Sequence, residues 1–134
     1  MRKTLKNLAV SSMVLFSCSV AAKDPQWVRI DYMDTGQVQI HRYLDVANIS
    51  NNDGYKFVWA RWEDNRFSRN GDGTRNPHIM FSHIKIDCKK MIWTSVYNEI
   101  YESGKLTESG KRDIPWNLYD NKSESNVKMF KLVC

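Results

Sequence analysis

The sequence predicts an α+β domain: an antiparallel β-sheet of about five to six strands, with a C-terminal α-helix tied to it by one disulfide. Three observations carry that expectation. Apolar and polar residues alternate through several separate stretches, the mark of half-buried strands. Clusters of Asn, Asp and Gly stand between those stretches, where the chain must reverse. The end of the chain changes to a helical period and finishes on Cys134.

The first residues explain why a cysteine pair is expected. Met1-Arg2-Lys3-Thr4-Leu5-Lys6 is basic, Leu8 to Phe16 is apolar, and Ser19-Val20-Ala21-Ala22 is small. These are the three parts of a secretory leader, and they imply an oxidising compartment. Of the three cysteines, Cys18 lies inside the leader. Cys88 and Cys134 remain, and they allow one connectivity. The apolar stretch falls short of the roughly 20 residues of a membrane span. Cleavage after Ala22 divides the chain into a leader, residues 1–22, and one domain, residues 23–134. Losing Arg2, Lys3 and Lys6 with no acid takes the formal charge from +5 to +2. A charge that small argues against a nucleic-acid partner, which demands a concentrated basic face. Leu15-Phe16-Ser17-Cys18 also resembles a lipoprotein box, so Cys18 is a candidate lipidation site and a lipid anchor the one expected membrane attachment. Phe16 is bulky for that box, which favours the cut after Ala22.

The elements follow in order. Gln26 to Tyr32 alternates as a strand, and Asp34-Thr35-Gly36 turns the chain. Val38 to Val46 is a second strand with Val38, Ile40, Arg42 and Leu44 on one face. Asn51-Asn52-Asp53-Gly54 is a strong turn, because Asn and Gly tolerate positive φ. Tyr55 to Glu63 is apolar on both faces, as a central strand is. Asn65 to Pro77 reads as the longest loop. Ile79 to Cys88 is a strand whose core face holds Met80, Ile84, Ile86 and Cys88. Lys89-Lys90 reverses the chain into Met91 to Tyr101, with Ile92, Val96 and Ile100 on one side and Trp93, Tyr97 and Tyr101 on the other. Ser103-Gly104 ends that strand, Lys105 to Asp113 reads as loop, and Pro115 to Tyr119 as a short extended piece. In the tail, Val127, Phe130 and Lys131, with Val133 and Cys134 beyond, fit an amphipathic helix with Asn121 as N-cap. A helix this short is marginal alone, and the disulfide would pin it.

Catalytic and metal signals are weak. His78 and His83 are five apart on a strand and so face opposite ways, which argues against a shared metal and against a Ser82–His83 pair. Gly71-Asp72-Gly73 lacks the distal glutamate of a calcium loop. No cofactor and no enzymatic activity are expected, since no nucleophile–base pair emerges. The suggestive set is Arg61, Arg66, Arg69 and Arg75 around Trp59 and Trp62, because Arg and Trp are enriched in protein interfaces. The bland alternative is a core pair of tryptophans beside a solvated loop.

Several segments together resemble the surface-adhesin protein E family of Gram-negative bacteria. They are Val38 to Trp62 with Tyr43-Leu44-Asp45 and Asn48-Ile49; Ser82 to Lys90 with Asp87-Cys88; and Pro115-Trp116, a serine-bearing helix start and the final Val133-Cys134. The resemblance spans roughly Trp27 to Cys134. It implies a cell-envelope location, in the periplasm or on the outer-membrane surface, and adhesin-like binding of host proteins, as the founding adhesin binds vitronectin and laminin. The alternative is a periplasmic accessory or inhibitor protein bound to an endogenous partner.

Overall fold

The structure, a computed structural model, describes residues 22–67, 75–116 and 122–134. Seven strands form one antiparallel sheet: β1 (Trp27–Asp34), β2 (Val38–Asp45), β3 (Ser50–Asn52), β4 (Tyr55–Phe67), β5 (Arg75–Asp87), β6 (Ile92–Glu102) and β7 (Lys105–Lys111). Their spatial order is β1-β2-β4-β5-β6-β7, and β3 also pairs with β4. A 3-10 turn, Val46–Asn48, interrupts the run from β2 to β3, so both flank the same edge of β4. One helix, α1 (Glu124–Val133), covers one face. Among the described residues no helix is long and apolar enough to cross a membrane.

Local chemistry sets the reversals. Asp53 and Gly54 take φ of 50° and 80° between the paired residues Asn52 and Tyr55. Ser103 and Gly104 do the same, at 50° and 79°, between Glu102 and Lys105. Two successive positive φ values match the twist of flanking strands. Between β5 and β6, Asp87 Oδ1 accepts from the amides of Lys89 and Lys90 at 3.0 and 3.1 Å, tightening the turn.

The pleat sends alternate residues to the helix side. Leu44, Val58, Ala60, Ile84, Ile86 and Trp93 are buried there, joined by Ile30. Helix α1 lowers Met129, Phe130 and Val133 onto them. The Cys88–Cys134 disulfide, with Cα atoms 5.7 Å apart, joins the end of β5 to the end of the helix. Arg42 ties the other end: its guanidinium lies 4.0 Å from the Trp62 ring and Nη1 donates to Ser125 Oγ at 3.2 Å. Between β5 and β6 the buried layer turns polar. Ser82 and Ser95 hydroxyls are 2.7 Å apart. Oriented so that its amide nitrogen faces them, Asn98 donates to both and accepts from Arg112 Nε. Ser82, Ser95 and Asn98 thus satisfy one another, which is the condition for tolerating them there.

Five expectations need correction. The sheet has a seventh strand: Lys105 to Lys111 pairs with β6 rather than forming a loop. Its side chains are nearly all exposed, so no apolar alternation marks it; backbone pairing alone makes it a strand. The expected Asn65–Pro77 loop is strand at both its ends, since Asn65, Arg66 and Phe67 pair with Pro77, Asn76 and Arg75; residues 68–74 lie outside the described residues. The β6 faces also differ. His83 pairs with Tyr97 and Ile84 with Ser95, so Val96 is a bulged extra residue. A bulge reverses the alternation beyond it, placing Trp93 in the core and Tyr97 and Tyr101 on the opposite face. The helix cap is Ser123, whose Oγ accepts from the Asn126 amide; Asn121 lies outside the described residues. Finally, Val127 is exposed, and the inward stripe is Met129, Phe130 and Val133.

Candidate functional site

The face of the sheet opposite α1 carries the aromatic and charged side chains that the core excludes. Register lines them up in cross-strand rows. Trp59, His83 and Tyr97 form one row, and Tyr43, Arg61, Phe81 and Glu99 a second. His41, Glu63, Ile79 and Tyr101 form a third. Directly opposed residues in an antiparallel pair sit close enough to touch, and these do. His83 stacks on Trp59 with centroids 4.8 Å apart and meets Phe57 at 5.6 Å. Phe81 packs between Trp27, at 6.0 Å, and Tyr101, at 5.8 Å.

Charge is threaded through the rings. Arg61 sits 4.8 Å from the Trp27 centroid and 4.6 Å from that of Tyr43, and its Nε is 3.0 Å from Glu63 Oε1. Lys85 lies 4.0 Å from the Tyr55 ring and 5.4 Å from that of Trp116. Glu99 receives two phenols: Tyr101 donates to Oε2 at 3.1 Å and Tyr97 to Oε1 at 3.3 Å. The bond to Glu99 is the main reason the Tyr101 pKa is pushed up from the usual phenol value. Burial lowers the His83 pKa below the ordinary imidazole value, because the cation would lose water.

A groove of about 610 Å³ opens on this face, within the roughly 300–1,000 Å³ common for ligand pockets. Trp59, Phe81, His83 and Tyr101 line it from the sheet, with Glu99 among them. Its other wall is the chain before β1 and the turn after β2. Asp45 builds that wall: Oδ1 accepts from the amides of Gln26 and Ala47, and Oδ2 from Asn48 Nδ2 at 2.7 Å. Asn48 in turn grips the main chain of Lys23, accepting from its amide and donating to its carbonyl, both at 2.9 Å. The leading segment is thus held against the sheet by Asn48, 25 residues from Lys23, and by Asp45, 19 residues from Gln26.

The structure divides the residues proposed from sequence. Trp59 and Arg61 belong to the open face. Trp62 does not join them; it packs against the helix-side core beneath Arg42. Odd and even positions of one strand point opposite ways, so the two tryptophans cannot form one patch. Arg66 and Arg75 lie in the far end of the β4–β5 hairpin, where Arg75 pairs with Phe67. Arg69, Gly71-Asp72-Gly73 and Cys18 lie outside the described residues. His83 and Ser82 face opposite sides, Ser82 being buried toward the helix. Among the described residues no group of three His, Cys, Asp or Glu is placed to hold a metal ion. Sequence reasoning missed Trp27, Phe81, His83 and Glu99 as parts of one site. The available signal was parity: once Ile84 and Ile86 are assigned to the core, Phe81 and His83 must share the other face.

No family model, curated protein or solved structure matches this chain.

Proposed function

We propose that this chain is an exported, non-enzymatic cell-envelope protein that binds another protein through the open aromatic face of its sheet. The observation that carries the reading is that face itself. One side of the sheet is covered by α1, while the other bears Trp27, Trp59, Phe81, Tyr97 and Tyr101 around a groove, with Arg61 beside it. Trp, Tyr and Arg dominate the energetics of protein interfaces. The Cys88–Cys134 bond supports an oxidising location, since such bonds persist outside the reducing cytosol. The resemblance to the surface-adhesin protein E family supports adhesin-like capture of a host protein.

The test uses the protein purified after export with its own leading segment. Immobilised vitronectin and laminin are offered to wild type and to a Trp59→Ser/Phe81→Ser variant whose circular dichroism is unchanged. The expected result is saturable binding by wild type and its loss in the variant. Binding that survives the double substitution removes the open face from the reading. Absence of binding, combined with full protection from protease on intact cells, replaces adhesion with the periplasmic accessory role.

A further inference from the structure

We infer that the groove receives a cationic side chain, lysine or arginine, from the polypeptide partner, seated against Trp59, Phe81 and Tyr101 with Glu99 as its counter-charge. The inference rests on the open face being a protein-binding surface, and it names the chemistry of what enters.

The first support is a habit of the molecule itself. Trp27, Tyr43, Tyr55, Trp62 and Trp116 each lie beneath a cation supplied by this chain, from Arg42, Arg61 or Lys85. Trp59, Phe81 and Tyr101 line the groove, and no cation of the described residues lies over any of the three. The ring face carries negative charge and attracts a cation most strongly where water is excluded.

The second support is the charge of the walls. Glu99 and Asp45 contribute two carboxylates; Lys23, the first residue after the expected cut, contributes a side-chain cation and a terminal ammonium, and it is exposed at the rim, away from Glu99 on the sheet wall. Asp45 is committed to the backbone amides around it. Glu99 is held by two phenols, one on each oxygen, and a carboxylate offers about four acceptor positions. Capacity for another donor therefore remains on this groove-lining carboxylate. Half-buried His83 is kept neutral at physiological pH and adds no repulsion. A partner's anionic group would instead meet two carboxylates and a set of ring faces. The space suits a long side chain together with its flanking main chain, which a groove rather than a closed cavity admits.

The experiment compares capped Gly-Arg-Gly, Gly-Lys-Gly, Gly-norleucine-Gly and Gly-Glu-Gly peptides, titrated into the full exported chain. The readout is the Trp59 indole resonance, assigned with Trp59→Phe. The arginine and lysine peptides are expected to shift it, with the norleucine peptide weaker by about twofold to thirtyfold, the range cation–π attraction supplies. Glu99→Gln keeps the size of the side chain and should bring the cationic peptides down toward norleucine. Equal shifts from norleucine and arginine mean an apolar slot and overturn the inference. So does stronger binding of the glutamate peptide, or a shift produced by a chito-oligosaccharide and by no peptide. If the cationic peptides fail while Trp59→Ser/Phe81→Ser still abolishes protein capture, the cation is wrong and the protein-binding face stands. If both fail, the face itself is not the binding surface.

Discussion

Removing the disulfide should lower stability while leaving the fold in place. The perturbation is Cys88→Ala with Cys134→Ala, so that no lone thiol remains. The bond spans a sequence separation of 46. Restricting an unfolded loop of that length is worth about 4 kcal/mol in the chain-entropy treatment. The native state has its own means of holding α1: Met129, Phe130 and Val133 are buried, and Arg42 and the Ser123 cap fasten its start. The loss should therefore act through the unfolded chain, and the native circular dichroism spectrum should persist. With an unfolding entropy of roughly 2.1 cal/mol/K per residue over about 110 residues, the melting temperature should fall by about 17 °C. Guanidinium and thermal melts of the double variant against oxidised wild type make the measurement. A midpoint shift worth less than about 0.5 kcal/mol would refute the loop argument. Selective loss of helical signal with an unchanged sheet transition would refute the claim that burial holds the helix.

Two further outcomes follow from single side chains. Ser123→Ala should cost about 1 kcal/mol in urea unfolding, because an orphan amide of the first helical turn loses its acceptor; a larger loss of helical signal from Asn121→Ala would return the cap to Asn121. His83 has a lowered folded pKa, so its neutral form stabilises the protein fully above the ordinary imidazole value near 6.5. That contribution is lost as pH falls through the folded pKa, since the unfolded chain takes up the proton first. Melting temperature should decline as pH falls below the ordinary imidazole value near 6.5, and His83→Phe should flatten that part of the profile; an unchanged slope would assign the decline to other groups.

Much of the fold was legible because burial leaves a local trace. Val38, Ile40, Arg42 and Leu44 alternate, and Asp64, Trp62 and Ala60, the β4 partners of the last three, fall on the helix side. Asn52-Asp53-Gly54 announced its hairpin because only residues tolerant of positive φ fit it. Strand β7 was illegible for the converse reason: an edge strand with exposed side chains has nothing to alternate. The bulge at Val96 was illegible too, because an unpaired residue shows only in the ladder, and it inverted the expected placement of Trp93. Of the site, Trp59 and Arg61 were found by type. Trp27, Phe81 and Glu99 were not, since their neighbourhood exists only once five strands lie side by side.

By itself the sequence determined the α+β class, the strand-forming stretches from β1 through β6 that bury apolar side chains, the one pairing open to Cys88 and Cys134, and the helix at the end of the chain. Each of these depends on local pattern or on counting. The tertiary structure decided that Trp59 and Trp62 part company, that Asp45 and Asn48 fold the leading segment against the sheet, and that Glu99 stands among aromatic rings. Those outcomes depend on register, and register is set by the simultaneous fit of β1, β2, β4, β5 and β6 beneath one helix, which no single stretch of the chain contains.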